Sequence, residues 1–143
     1  MLALQSLRVA YAGKRVLLTG HTGFKGGWLA IWLASLEADV TGFALAPSTE
    51  PSLFEDAGIK DVCRHELGDV RDLDRLRRLV HEVRPEVVFH LAAQPLVRLS
   101  YEKPLETLEC NALGTAKLLE AIRLEKQRCA VVVVTSDKCY ENR

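Results

Sequence analysis

The sequence carries no excess of either charge: 19 Lys and Arg stand against 19 Asp and Glu in 143 residues. Without a basic face, nucleic acid and acidic membrane surfaces drop out as expected partners. No apolar run approaches the ~18 residues of a membrane helix, and no secretory leader is read. A soluble, cytoplasmic protein is therefore expected. Cys63, Cys110, Cys129 and Cys139 are scattered, with no C-x-x-C pair. They read as buried or incidental thiols, and neither a metal site nor a disulfide framework is expected. Internal repeats and low-complexity linkers are missing too, so the chain suits one domain with a real core.

What the sequence does have is a stretch around which the rest is organised. The apolar run Arg15-Val16-Leu17-Leu18 ends in Thr19, and Gly20, Gly23 and Gly26 come next at a spacing of three. Trp28, Leu29, Ile31, Trp32, Leu33 and Leu36 then continue at helical spacing. This is strand, glycine turn, helix. Such a turn aims backbone N–H groups and the positive end of a helix dipole at one point, where a pyrophosphate can sit. The spacing is G-x-x-G-x-x-G and not G-x-G-x-x-G; the flanking strand and helix supply the context that makes it a dinucleotide motif. Gly20, Thr22, Gly23, Phe24, Lys25 and Gly26 are its candidate cofactor contacts.

In chain order, residues 1–13 read as a lead-in. The first strand covers about 15–19 and the first helix about 23–36, with Trp28 and Trp32 expected to pack on the sheet. Strand two is 39–43. An acidic residue near its end would hold ribose hydroxyls, but it runs into Ala44-Leu45-Ala46-Pro47-Ser48, and neither that acid nor an arginine for a 2′-phosphate stands there. A loop with Pro47, Ser48 and Pro51 leads to a short helix over 53–57. Strand three, 62–67, alternates poorly and is placed near an edge. Asp69 reads either as a turn or N-cap residue or as a residue facing an adenine, with Val70 beside it. A surface helix spans 73–83 and Pro85 ends it.

Strand four, 86–91, is apolar at its centre, as suits a strand covered on both faces. Leu91, Ala92, Ala93 and Gln94 end it, small enough to admit a ligand at the strand's carboxyl end. His90 is read as a satisfied core histidine, with a catalytic role as the alternative. Residues 95–101 read as a loop. A long helix is expected over 104–125, with Leu108, Ala112, Ala116, Leu119 and Ile122 on its packing face. Asn111 and Gly114 interrupt it where something lies close. Strand five, 130–134, closes in Thr135-Ser136-Asp137-Lys138. With right-handed crossovers this gives a Rossmann-type, doubly wound parallel sheet of order 3-2-1-4-5. Residues 20–26, 92–94 and 136–138 should converge at its switch point.

The glycine turn, GDVRD at 68–72, FHLAAQ at 89–94, Asn111 with Gly114-Thr115, and the strand-five end together resemble the extended short-chain dehydrogenase/reductases. GHTGFKG at 20–26, ALAPSTEPSLFE at 44–55, AAQPLVRLSY at 92–101 and TSDKCYEN at 135–142 are similar to the CDP-glucose branch of the sugar-nucleotide 4,6-dehydratases. That branch carries Asp-Lys where most others carry Asp-Glu. The resemblance implies NAD as cofactor, a nucleotide-sugar substrate and an internal redox cycle. C4 of the glucose is oxidised to a ketone, water leaves across C5–C6, and C6 is reduced, giving CDP-4-keto-6-deoxyglucose. Carried over by motif, Ser136 would hydrogen-bond the C4 oxygen and Asp137 would protonate the leaving hydroxyl. Lys138 would remove the C5 proton, which requires a neutral amine. On the residues alone, this trio is a polar strand end with a capping aspartate.

The family's Y-x-x-x-K pair is missing: Arg15 follows Tyr11 at i+4 and Leu105 follows Tyr101. The resemblance therefore implies the cofactor-binding portion, residues 14–143, truncated after the fifth strand and without a substrate lobe. A bare strand-five edge then predicts a homo-oligomer. The alternatives are a catalytically silent dinucleotide-binding module, or a related epimerase or reductase, against which Lys138 argues.

Overall fold

The computed structural model describes residues 2–136. Five parallel strands form one sheet in the order β3-β2-β1-β4-β5, with β1 at Arg15–Thr19, β2 at Asp39–Ala44, β3 at Arg64–Leu67, β4 at Val87–His90 and β5 at Ala130–Val133. The expected topology is the observed one, and β3 is an edge strand. β1 sits at the centre, Val16 opposite Val40 on one side and Val87 on the other.

Alternation along β1 divides the core in two, because successive side chains point to opposite faces. Val16 and Leu18 join Ala30, Leu33, Val40, Phe54 and Ile59 on one face. Leu17 joins Phe43, Val88, Leu76, Leu79, Val80 and Leu118 on the other. Helix α2 (Phe24–Ser35) covers the first face and helices α4 (Leu73–Val83) and α7 (Gly114–Leu124) the second. Asp72 caps α4, its side chain accepting from the Arg75 amide at 2.9 Å.

Four expectations change. Residues 1–13 are no plain lead-in: Leu2–Tyr11 form helix α1. Good helix formers run through it, and it is fastened at its end, where Tyr11 lies 6.3 Å from the Phe89 ring and Arg8 pairs with Glu37. Trp28 and Trp32 do not pack on the sheet; they are 54% and 48% exposed. The sheet-facing residues of α2 are Gly26, Gly27, Ala30 and Leu33, small enough to bring the helix close. After the short helix α3 (Leu53–Asp56), the 95–101 loop contains helix α5, Val97–Glu102.

The fourth change concerns the long helix. It is helix α6 (Pro104–Leu108), a π-helical turn at Glu109–Leu113, then α7. The wider turn rotates α7 relative to α6. Gly114, Leu118, Ala121 and Ile122 are buried, while Leu108 and Leu119, expected on the packing face, are exposed.

Candidate dinucleotide site

The carboxyl ends of β1 and β4 lie side by side where the strand order reverses, and the glycine turn leaves β1 there. Each of its glycines has a different reason to be one. Gly20 has φ +80, a left-handed conformation that costs other residues ~1–2 kcal/mol. A Cβ on it would also lie 2.8 Å from the Ala92 nitrogen. A Cβ on Gly26 would overlap the Gly20 carbonyl oxygen. Gly23 is neither left-handed nor crowded: the nearest atom to a Cβ there is 3.4 Å away, ordinary contact. It is exposed and is the N-cap of α2, with no side-chain cap. The protein gives no packing reason for Gly23, and the space it leaves lies at the positive end of α2. That is the cradle a phosphate group fits.

Hydrogen bonds to β2, to the residue just after it and to β3 fix the turn. The Gly20 amide donates to the Phe43 carbonyl at 2.9 Å, and Thr22 Oγ1 donates to the Leu45 carbonyl at 2.9 Å. His21 is fully buried and bonds His65 on β3, Nε2 to Nδ1 at 2.7 Å.

The second wall is the end of β4. Thr19 Oγ1 accepts from the Leu91 and Ala92 amides, both at 3.2 Å. Its own proton therefore goes to His90 Nδ1, 2.7 Å away. That leaves His90 Nε2–H to donate to Thr115 Oγ1 at 3.0 Å, and Thr115 in turn donates to the Asn111 carbonyl at 2.7 Å. Every partner is satisfied by a neutral imidazole, and burial pushes the His90 pKa down. The core-histidine reading holds, and His90 ties the site to the π turn.

Asn111 extends that tie. Its Oδ1 accepts from the Gln94 amide at 2.7 Å and its Nδ2 donates to the Gln94 carbonyl at 3.1 Å. The Gln94 side chain is spent locally, Nε2 donating to Thr107 Oγ1 and Oε1 accepting from the Leu96 amide. Ala93 is exposed at this end; Ala92 and Leu91 are partly buried.

Asp69 makes a turn, its Oδ1 accepting from the Arg71 amide at 2.8 Å while the Arg71 guanidinium clasps both carboxylate oxygens. Those hydrogen bonds hold its pKa below the usual carboxylate range. Val70 is buried against Gly114. Phe24 and Lys25 stand exposed on the first turn of α2. Ser136 lies three residues beyond β5, at the same end of the sheet, where the Val134 amide donates to the His90 carbonyl at 3.0 Å. Asp137 and Lys138 lie outside the described residues. No group of three His, Cys, Asp or Glu among the described residues could hold a metal ion, and no helix there is long and apolar enough to cross a membrane.

Thr19, His21, His65, Asn111 and Thr115 were not legible as site residues. Thr19, His21 and His65 carry no local pattern that marks a site, Asn111 and Thr115 stand out only through the helix break and the resemblance, and their partners lie elsewhere in the chain.

Fold and turn together define a dinucleotide-binding α/β domain of the doubly wound class. Comparison with known proteins agrees. The family model for GDP-mannose 4,6 dehydratase matches residues 17–142, and the chain belongs to that family. It is 53% identical over 133 residues to a CDP-glucose 4,6-dehydratase of Salmonella typhimurium, covering 93% of this chain and 37% of that one. A GDP-mannose 4,6-dehydratase of Vibrio cholerae is 36% identical, over 78% of this chain and 32% of its own length. The chain thus spans about a third of these relatives' length. Among solved structures, a UDP-glucose-4-epimerase from Stenotrophomonas maltophila with bound NAD and formylated UDP-arabinopyranose superposes with a TM-score of 0.80. It is 26% identical, over 91% of this chain and 39% of that one. A Thermus thermophilus UDP-glucose 4-epimerase in complex with NAD gives 0.68 at 32% identity, over 79% of this chain and 35% of its own.

Proposed function

We propose that this chain is the NAD-binding part of a CDP-glucose 4,6-dehydratase. The observation that carries the cofactor is Gly23, a glycine with no internal reason, set at the uncapped start of α2. The CDP-sugar assignment rests on the 53% identity to the Salmonella typhimurium enzyme. NAD, when bound, supplies a hydride acceptor that returns the hydride later in the cycle. The residues proposed to hold it are Gly20, Thr22, Gly23, Phe24, Lys25 and Gly26 at the pyrophosphate, Asp69 and Val70 toward the adenine, and Leu91, Ala92, Ala93 and Gln94 along β4. Asp69 would have to share its carboxylate with Arg71.

Ser136 is proposed to hydrogen-bond the sugar O4, Asp137 to donate a proton to the departing O6, and Lys138 to remove the C5 proton as a neutral amine. The 143 residues hold no Y-x-x-x-K pair, so the proton on the C4 hydroxyl has no assigned acceptor here. General acid–base assistance is worth ~10²–10⁴ in rate, so these residues alone should yield no 4-keto product. Self-association is proposed to run through the open side of β5 and the outer leucines of α6 and α7.

The test joins these residues to the remaining length of the Salmonella typhimurium relative. The hybrid should form the 4-keto product from CDP-glucose, and Lys138→Ala should abolish it. A hybrid equally active on GDP-mannose would refute the CDP-sugar assignment. NADH fluorescence titration tests the cofactor part on the chain by itself.

A further inference from the structure

His21 occupies the second position of the glycine turn, where a side chain would be expected to face solvent or ligand. It is fully buried instead. Its ring lies over Gly42 of β2, where any Cβ would run into it. It meets the Phe54 ring edge-on, centroids 5.6 Å apart, and bonds His65 Nδ1 through Nε2 at 2.7 Å. His65 is the β3 residue in register with Gly42. One imidazole therefore threads from the turn, across the glycine of β2, to the edge strand.

The proton on that bond can be placed. Among the described residues, His21 Nδ1 is the one buried side-chain nitrogen or oxygen with no hydrogen-bond partner. No acceptor meets that atom in hydrogen-bond geometry, the Phe43 carbonyl included, so an N–H there is the costlier choice. His21 therefore carries its proton on Nε2 and donates it, and His65 Nδ1 accepts. Protonating His65 at Nδ1 would reverse the bond and drive a proton onto the orphan atom.

We propose that His21 and His65 are positioning residues, a strut through which β3 holds the dinucleotide-binding turn in register. Neither touches the cofactor in this scheme; His65 acts through His21, and His21 through the backbone of the turn. The strut rests on the dinucleotide-binding function proposed above.

The surroundings make it sensitive to acid. β2 presents Gly42 and α3 presents the Phe54 ring, neither of them charged. β3 presents His65, with Cys63 two residues earlier donating its thiol to the Ile59 carbonyl. Arg64 and Glu66, on the other face of β3, pair with each other. No carboxylate among the described residues bonds His21 to compensate a charge. Burial pushes its pKa down to about 4, with the His65 ring adding to the effect and the Phe43 carbonyl opposing it. The unfolded chain takes up this proton near pH ~6.5. The strut's contribution is therefore complete above that pH and declines as pH falls toward about 4.

The test uses the full chain and two variants. His65→Leu keeps apolar bulk beside Phe54 and removes the acceptor. His65→Asn keeps an acceptor where Nδ1 stood. At pH 7.5, His65→Leu should weaken NADH binding about tenfold, the cost of an unmet buried donor, and His65→Asn should restore most of it. Wild-type affinity should hold down to about pH 5 and fall as pH approaches about 4. Equal binding by all three proteins, or equal loss in both variants, would overturn the strut. Nitrogen-15 NMR of the wild type gives an answer that needs no variant to fold: a proton on His21 Nδ1 would also overturn it. If the wild type binds no NADH, the dinucleotide function fails by itself. The strut is then judged by amide exchange at Gly20, Thr22 and Gly23, which should be about tenfold faster in His65→Leu than in His65→Asn.

Discussion

The two sides of β1 are built from similar residues and finished differently. Toward β2 and β3 the chain closes on itself. Phe43 and Val40 are buried, α2 is drawn in by Gly26 and Gly27, and the turn is tied to β2 by the Gly20 amide and to β3 by His21. Toward β5 the same aliphatic chemistry stays open. Among the described residues each edge strand has one neighbour, but β3 carries the paired Arg64 and Glu66 while β5 is aliphatic. Val132 is 45% exposed, and Leu105, Leu108, Leu113 and Leu119 on the α6–α7 segment are exposed as well. The turn proposed to cradle a phosphate is thus tied down within this stretch, while the flank toward Ser136 presents apolar surface. Covering such surface is worth ~25 cal/mol per Å², which is the driving force for the proposed association.

The sharpest way to break the comparison is inside the closed side. Gly26→Val should cost more than about 3 kcal/mol, because its side chain meets the backbone of Gly20 and backbone cannot give way as a flexible side chain can. Gly23→Val, three residues earlier, should leave stability within about 1 kcal/mol yet weaken NADH binding by roughly a hundredfold or more, by filling the phosphate cradle. Urea denaturation and NADH titration of the two variants read both outcomes. Equal NADH affinity in Gly23→Val and wild type would remove the turn from the site.

Thr19 joins the closed side to β4. Thr19→Val leaves the buried His90 Nδ1 and the Ala92 amide without their partner, while the Leu91 amide keeps the Thr19 carbonyl. We expect a loss of about 1–3 kcal/mol, measured by denaturation, with Thr19→Ser retaining most of the stability.

Asp69 lies on the rim between the sides. Its folded pKa is depressed, chiefly by hydrogen bonds from Arg71. The stability it contributes is therefore present above its unfolded pKa of ~3.9 and lost as pH falls through the lower, folded value. Asp69→Asn should cost about 0.5–1 kcal/mol at pH 7, the pair being partly solvent-screened. The gap to wild type should close as pH falls through that lower value. A gap that persists there would show that shape, and not charge, is what Asp69 provides.

On the open side the smallest change in stability should accompany the clearest change in assembly. Val132→Lys places a charge on the half-exposed edge strand and should shift stability by no more than ~0.5 kcal/mol. It should convert associated chain to monomer, since a charge on an edge blocks strand pairing. Sedimentation velocity reads this directly, and a wild type that stays monomeric at high concentration would refute self-association through that edge.

The sequence by itself determined the order of elements, the parallel topology and the glycine turn. These follow from local periods: aliphatic runs of strand length, helical spacing with charge on one face, and glycines where a chain must bend tightly. Only the tertiary structure decided which faces were buried and what fastened the site. Trp28 and Trp32 looked like core, but small residues on the opposite side of α2 let the helix approach the sheet there. Leu108 and Leu119 looked like packing residues, but the π turn at 109–113 rotates α7 onto Gly114, Leu118 and Ala121. Likewise α1 gained its place through Tyr11 and Arg8, whose partners Phe89 and Glu37 lie far along the chain. His21 and His65 stand 44 residues apart and meet only because β3 pairs with β2 and Gly42 leaves room between them. A periodic pattern is a property of neighbours in sequence. A hydrogen bond across the sheet depends on which strands lie adjacent, and that is fixed when the whole chain packs.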